Sequence, residues 1–161
     1  MANTIQVDVV SAEGEIFTGS ARMVVVPAVM GEIGILPRHS PLLTRLESGE
    51  IRLYLPDERE ISIYILGGLL EIQPSIVTVL SDTALRTDVI DEAAAIAVRK
   101  QVEENKRNSE KAIRQGMSGF DYAKAKQELA QAIAQIRTLD ELQKRYRKKG
   151  IEHSRANDDF Q

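Results

Sequence analysis

Few side chains in this chain could act in catalysis. Its 161 residues include two histidines, His39 and His153, and no cysteine. A thiolate nucleophile, a disulfide and a cysteine-ligated zinc site are therefore excluded. A Ser/His/Asp arrangement would have to use His39, which lies between Pro37 and Pro41, and no His/Asp/Glu cluster has the spacing of metal ligands. These residues predict a protein that is not an enzyme and that holds neither a metal nor a cofactor.

Two glycine-containing segments could in principle bind a phosphate group. Residues 31–34 have the sequence Gly-Glu-Ile-Gly, but the Gly-Lys-Ser/Thr that completes a P-loop does not follow. Gly67-Gly68 comes after a predicted strand, where paired glycines are typical of a tight turn or a bulge. Neither segment predicts a nucleotide site.

The composition divides the chain near Thr87. All five prolines precede this residue, and all lysines follow it. Residues 1–88 carry twelve acidic side chains and six arginines, whereas residues 89–161 carry twelve acidic side chains and fifteen lysines and arginines. We expect an acidic β domain at 1–87, a basic helical hairpin at 88–149 and a disordered tail at 150–161. The net charge of −3 argues against nucleic acid as the main partner.

No stretch of the sequence predicts a membrane-spanning helix. The longest uncharged apolar run, residues 63–70, is interrupted by two glycines and is far shorter than the roughly 20 residues that such a helix needs. The N-terminus has no basic segment followed by an apolar one, as a signal peptide would. We expect a protein of a reducing cytoplasm that reaches a membrane only through a partner.

Residues 1–88 alternate between apolar and polar side chains. The alternation runs over residues 5–10, 51–55 and 61–65, with valine, isoleucine and leucine at every second position. Turn signals recur about every ten residues: Glu13-Gly14, Gly19-Ser20, Ser48-Gly49, Pro56-Asp57 and Gln73-Pro74-Ser75. This spacing predicts eight to ten strands in an all-β sandwich or barrel that ends near Arg86.

The remainder of the chain has the pattern of two helices. Asp88 is a candidate N-cap, residues 93–114 contain no proline or glycine, and residues 115–119 form a break. A second helix over 121–149 has a narrow apolar stripe: Leu129, Ala132, Ile133, Ile136, Leu139 and Leu142. We expect an antiparallel hairpin whose many alanines hold it loosely, so that it could open and pack on something else. An ordinary small helical subdomain is the alternative.

Several motifs resemble one known family. Residues 31–44 resemble the signature Gly-Glu-x-Gly-Ile-x-Pro-x-His-x-Pro-Leu-x-Thr of the ε subunit of F-type ATP synthases. Residues 8–11, 67–72, 77–84 and 121–123 also agree, so the resemblance covers roughly residues 3–148 in unbroken order. Two positions depart from the family pattern, since Arg38 stands where glycine is usual and Ser81 where alanine is common.

The resemblance implies a ten-stranded β sandwich followed by an α-helical hairpin. It implies a non-catalytic rotor subunit in the central stalk of a proton-translocating ATP synthase, which couples ring rotation to ATP synthesis. Its partners would be the γ subunit and the c-ring, and it would be a peripheral protein at the cytoplasmic face of a bacterial membrane. The implied rotor interface contains Glu32, Pro37, Arg38 and His39.

The resemblance also implies a regulatory role for the helical arm. In bacterial relatives the arm lies folded, or extends along γ into the hexamer of α and β subunits and blocks ATP hydrolysis. The candidate contacts in this chain are basic: Arg137, Lys144, Arg145, Arg147, Lys148 and Lys149. The alternative is that these charges only complement the helix dipole, at about 0.3–1 kcal/mol each.

Some relatives bind ATP on the folded hairpin through a motif that begins Ile/Leu-Asp-x-x-Arg-Ala. This chain keeps Ile90 and Asp91, but Ala94 stands at the arginine position and Gln131 and Gln135 at basic positions of the second helix. We therefore expect no useful affinity for ATP. The region around residues 105–118 is also about two helical turns longer than in typical relatives.

Two other functions are open to the sequence. One is a free-standing nucleotide-sensing or ligand-binding module whose arm closes over a small molecule. The other is a hydrolase that uses His39. Neither accounts for the change of charge at Asp88 or for the shortage of catalytic groups.

Overall fold

The structure, a computed structural model, describes residues 3–88, 92–116 and 119–158, without the side chains of residue 120 and of residues 150–158. The chain divides into two compact units, Met1–Ile90 and Asp91–Gln161. The first unit contains strands and the second contains helices.

Eight strands make up the described part of the first unit. They are β1 (Ile5–Ser11), β2 (Gly14–Ala21), β3 (Met23–Ala28), β4 (Gly31–Ile35), β5 (Leu42–Tyr54), β6 (Glu60–Ile72), β7 (Ile76–Ser81) and β8 (Ala84–Arg86). Their order is β2-β1-β7-β6-β5-β3-β4, and β8 pairs with β6. Strands β1 and β7 are parallel, whereas the other pairs are antiparallel.

Strand β6 changes its neighbour halfway along its length. Its first half pairs with β8 at residues 63–65, and its second half pairs with β7 at residues 69–72. Gly67 and Gly68 lie between the two halves with φ angles of 96° and 152°, which side chains with a Cβ atom rarely adopt. The bend at these glycines lets one strand serve both layers of a β sandwich.

The expectation of ten strands was wrong. Strands β5 and β6 each have 13 residues and remain paired with each other along their whole length, so each counts once. Ser48-Gly49, interpreted as a turn, lies inside β5, and Gly19-Ser20 lies inside β2. The physical reason is that a glycine that bends a strand and a glycine that ends it look alike in a sequence.

The core of the first unit follows the alternation that the sequence showed. Ile5, Val7 and Val9 of β1 are fully buried, as are Ile51 and Leu53 of β5. The second half of β6 and strand β7 contribute further buried side chains: Leu70, Ile72, Val77 and Val79. The core also includes Ala21 of β2 and Ile35 of β4, the strands at the two ends of the sheet order, so one apolar core joins them.

The second unit contains two helices, α1 (Glu92–Arg114) and α2 (Phe120–Asp158). The first described residue of α1 is Glu92, and the three residues between Asp88 and Glu92 lie outside the described part of the chain, so the role of Asp88 as a helix cap stays a prediction. The Asp88 carboxylate accepts a hydrogen bond from Nε of Arg86 over 2.8 Å. This carboxylate raises the pKa of the Arg86 guanidinium by stabilising its charge.

Helix α2 is longer than expected. It continues through residue 150 to Asp158, so the tail that we expected to be disordered is helical up to that residue. A single glycine costs a helix only about 1 kcal/mol, which is too little to end one when good helix formers follow. Residues 159–161 lie outside the described part of the chain.

The glycine bend generates a prediction about stability. A Cβ atom at Gly68 would lie 2.2 Å from the carbonyl oxygen of Leu80, a backbone atom that cannot move aside. Gly68→Ala should therefore lower the free energy of unfolding by about 2 kcal/mol or more and the Tm by about 10 °C. Gly34→Ala is the matched control, since a Cβ there meets nothing within 4 Å. Thermal unfolding followed by circular dichroism measures both, and equal Tm values would contradict the assignment of the bend.

Candidate functional site

The loop between β4 and β5 is held by backbone hydrogen bonds. The Arg38 amide donates to the carbonyl oxygen of Pro74 over 2.9 Å, and the His39 amide donates to that of Leu36 over 3.1 Å. Nδ1 of His39 donates to the carbonyl oxygen of Ser40 over 2.7 Å. The loop is thus fastened to the turn between β6 and β7, and the hydrogen bond of Nδ1 holds the His39 ring in place.

Arg38 has a strained backbone. Its φ angle is 67°, in the left-handed region that costs an ordinary residue roughly 1–2 kcal/mol. This conformation explains physically why glycine suits the position. The Arg38 side chain is exposed, and no ion pair or hydrogen bond of its guanidinium occurs within the described residues.

Glu32 lies on strand β4, outside the loop that contains Pro37, Arg38 and His39. It pairs with Pro27 of β3, and its carboxylate accepts a hydrogen bond from Arg52 of β5 over 2.6 Å. Both side chains are partly exposed, at 60% for Glu32 and 31% for Arg52. The Glu32 carboxylate is therefore already paired with Arg52 when a partner protein binds.

A surface that the sequence analysis missed lies next to this loop. Leu69 of β6 pairs with Arg45 of β5 on one side and with Leu80 of β7 on the other, so the three side chains share one side of the sheet. Leu43 lies two residues before Arg45, and the Val29 amide donates to the carbonyl oxygen of Arg45 over 3.1 Å. We name Val29, Leu43, Leu69 and Leu80 the outer apolar face.

The outer apolar face is accessible to a partner. Its four side chains are between 44% and 71% exposed, although Leu70 and Val79, which follow or precede them, are fully buried. Contiguous exposed apolar side chains often mark a docking site. The signal in the sequence is that Leu42-Leu43 and Leu69-Leu70 interrupt the alternation, since one leucine of each pair must point away from the core.

The two helices pack along positions spaced by seven residues. The buried positions of α1 are Ala95, Val102 and Ser109. On α2 the buried residues at this spacing are Ala125, Ala132, Leu139 and Tyr146. A seven-residue spacing is typical of a coiled-coil seam. Of the predicted stripe, Ala132, Leu139 and Leu142 are buried, but Ile133 is 42% exposed.

One arginine joins the two helices. Arg99 of α1 donates from Nη1 to Asp140 over 2.6 Å and to Gln143 over 3.2 Å, both on α2. Its Nε donates to Glu103, one turn further along α1, over 3.1 Å. The Asp140 carboxylate raises the pKa of the Arg99 guanidinium, with a smaller contribution from Glu103.

The candidate inhibitory residues lie in α2. Arg137, Lys144 and Lys148 share one face of the helix, because they are separated by seven and four residues, and all three are exposed. Lys144 forms an ion pair with Glu141 of the same helix at 3.1 Å. Arg145 and Arg147 are exposed, and Lys149 is half-buried.

The remnant of the nucleotide motif does not form a phosphate site in the described residues. Ile90 and Asp91 lie outside them, and Ala94 is half-buried on α1. Gln131 and Gln135 line a groove of about 510 Å³ between the helices. The other residues that line it are Asn105, Asn108, Ser109, Ala112, Glu128 and Ala132. Glu128 is the charged residue among them, and a carboxylate disfavours phosphate.

Two other kinds of site were sought within the described residues. No group of three or more histidine, aspartate or glutamate side chains could hold a metal ion there. Neither described helix is long and apolar enough to cross a membrane.

The chain is similar to a family of known proteins. Residues 4–87 match the family described as ATP synthase, Delta/Epsilon chain, beta-sandwich domain. The ATP synthase epsilon chain of Nitrosococcus oceani is 50% identical over 145 residues, which are 90% of this chain and 99% of that relative. The epsilon chain of Halorhodospira halophila is 51% identical over 144 residues, which are 89% and 97% of the two chains.

Solved structures share the fold at low identity. A chain of the Euglena gracilis mitochondrial ATP synthase, OSCP/F1/c-ring in rotational state 1, has a TM-score of 0.58 and 13% identity, with 89% of this chain and 81% of that chain covered. A chain of the central stalk and c-ring of the Tetrahymena thermophila mitochondrial ATP synthase has a TM-score of 0.53 and 11% identity, with 85% and 94% covered.

The lining of the groove generates a prediction about ATP. Isothermal titration calorimetry of the full chain with ATP up to about 1 mM should give no heat of binding, because no basic side chain lines the groove. The variant that combines Gln131→Arg and Gln135→Arg should bind ATP, since two guanidinium groups in the groove can pair with phosphates. Submillimolar affinity of the unsubstituted chain would contradict this interpretation.

Proposed function

The chain belongs to the ATP synthase epsilon chain family, and we propose that it works in the central stalk, where it couples rotation of the c-ring to ATP synthesis. Epsilon chains are non-catalytic accessory subunits of the complex. The catalytic sites would then lie on other chains, in agreement with the small inventory of reactive side chains. The proposed partners are γ and the c-ring.

The observation that carries this proposal is the outer apolar face beside the fastened loop. A subunit that transmits torque needs a rigid contact with its partner. Leu43, Leu69 and Leu80 stand on paired strands, so their positions are fixed by the sheet. Burial of such side chains contributes about 25 cal/mol of free energy per Å² of apolar surface removed from water. The outer apolar face is therefore a suitable binding surface for γ.

The loop supplies the polar contacts of the proposed rotor interface. Three polar groups can hydrogen-bond to polar loops of a ring. They are the ion pair of Glu32 with Arg52, the imidazole of His39 and the guanidinium of Arg38. Pro37 and the bonds to Leu36 and Pro74 keep these groups in place. The strain stored at Arg38 supports a role in contact, because observed backbone outliers are frequent at functional sites.

We propose that membrane association is indirect. The chain would reach the membrane through the c-ring, as a peripheral protein at the cytoplasmic face, and proton translocation would occur in other subunits. The negative charge of residues 1–88 does not favour direct binding to anionic lipid headgroups.

The helical arm has the proposed role of inhibiting ATP hydrolysis. Its extended form would enter the hexamer of α and β subunits and place Arg137, Lys144 and Lys148 against an acidic segment. The shared face of these three residues supports a partner surface, because three aligned charges along α2 exceed what the helix dipole requires. The competing function, a nucleotide-sensing module, is not favoured by the neutral and acidic lining of the groove between the helices.

The docking proposal predicts a loss of affinity. Leu69→Gln combined with Leu80→Gln should weaken binding to the αβγ complex at least about 10-fold, since full burial of a leucine contributes about 1.5–3 kcal/mol and these two side chains are already about half-buried. Ile96→Gln is the control, because Ile96 is 62% exposed on α1, outside the outer apolar face. Titration by surface plasmon resonance measures the affinity, and unfolding curves check that the sandwich is intact. Wild-type affinity of the double variant would exclude this face.

The arm proposal predicts a gain of activity. A chain that ends at Thr87 should raise ATP hydrolysis by the αβγ complex several-fold relative to the full chain. Replacing Arg137, Lys144 and Lys148 with glutamine should reproduce most of this gain, because the acidic partner segment loses its counter-charges. The same replacement at Lys111, Lys124 and Lys126 removes equal charge elsewhere and should have little effect. Equal hydrolysis with the full and shortened chains would refute the inhibitory role.

A further inference from the structure

The seam between α1 and α2 is unevenly packed. Toward the connection between the helices, the groove of about 510 Å³ separates polar residues of α1 from Gln131 and Gln135. Toward the start of α1, Val102 and Ala95 are buried, as are Leu139 and Tyr146 of α2. Separation of the helices therefore meets little resistance near the connection and more resistance near the start of α1.

Arg99 lies in the half of the seam toward the start of α1, where the cavity between the helices is smaller, at about 180 Å³. Its guanidinium contacts Asp140 and Gln143 across the seam and Glu103 on its own helix, so it binds three residues at once. Within the described residues, it forms the ion pair that joins the two helices; the pairs Lys106–Glu110 and Lys144–Glu141 each lie within one helix.

We propose that the cluster of Arg99, Asp140 and Gln143 is a latch that holds the hairpin closed and thereby limits how much of the arm is available to inhibit hydrolysis. The part of this inference that concerns hydrolysis rests on the proposed function. The part that concerns closure of the hairpin depends on this chain alone.

The surroundings of the latch make its contribution large relative to the rest of the seam. Five of the seven seam positions hold alanine, serine or valine, which bury little area: Ala95, Val102, Ser109, Ala125 and Ala132. The Arg99 side chain is only 27% exposed, so its charge is partly removed from water and needs the partner carboxylate. Loss of Arg99 leaves Asp140 without this partner, and loss of the Asp140 charge leaves Arg99 in an ion pair with Glu103 of its own helix, so opening becomes easier in both cases.

Hydrogen exchange of the isolated full chain, followed by mass spectrometry, tests closure. Arg99→Gln and Asp140→Asn should each raise exchange of the α1 and α2 amides about three- to tenfold, while exchange in the sandwich stays unchanged as an internal reference. Lys106→Gln is the matched control, because it removes one positive charge of α1 that is paired with Glu110 of the same helix. It should leave exchange as in the wild type.

A double-mutant cycle separates the latch from general loss of charge. The combination of Arg99→Gln with Asp140→Asn should exchange no faster than Arg99→Gln alone, because the interaction with Asp140 is already lost in that variant. Arg99→Lys should lie between the wild type and Arg99→Gln, since it keeps the charge but not the planar fork. Additive effects of the two substitutions, or wild-type exchange in Arg99→Gln, would overturn the latch.

ATP hydrolysis tests the consequence for inhibition. With the αβγ complex, Arg99→Gln should inhibit more strongly than the wild type at equal concentration, and Lys106→Gln should not. Faster exchange without stronger inhibition would overturn the regulatory half of the inference. If removal of residues 88–161 also leaves hydrolysis unchanged, the proposed function of the arm has failed, and the exchange cycle still decides whether the latch exists.

Discussion

The bend of β6 at Gly67 and Gly68 is the constraint on which the sandwich depends. Because the strand changes its neighbour there, the buried residues on both sides of the bend belong to one core. The same bend fixes Leu69 against Leu80, and Ser81 donates a hydrogen bond to the carbonyl oxygen of Gly67 over 2.5 Å. The outer apolar face and the fastened loop therefore follow from a backbone conformation that glycine permits and other residues resist.

The helical unit is built on a different principle. Its seam has coiled-coil spacing, but its small side chains and its groove keep the packing weak. A hairpin that opens, as we propose for this one, cannot depend on extensive apolar burial, since that burial would be lost on opening. A directional polar contact such as that of Arg99 with Asp140 suits such a hairpin, because it stabilises the closed form at a single pair of side chains.

Some of this structure could be predicted from the sequence, and some could not. Alternation in β1 and β5 identifies strands because the local period of two is set by the pleat. The number of strands and the exposure of Leu43 and Leu69 depend on which strands pair, and pairing is not a local property. The contact between Arg99 and Asp140 joins residues 41 positions apart, so no periodicity indicates it. Family resemblance identified the loop, but backbone geometry was needed to explain the departure at Arg38.

The central claim is that the chain binds γ through the outer apolar face. The most direct measurement is photo-crosslinking in the intact ATP synthase, with p-benzoylphenylalanine placed at position 69 and, as a control, at position 58, which is exposed in the turn at the other end of β5 and β6. The account predicts an adduct from position 69 that mass spectrometry identifies as γ, with no such adduct from position 58. An adduct from position 69 to α or β, or none at all in an assembled complex, would contradict it.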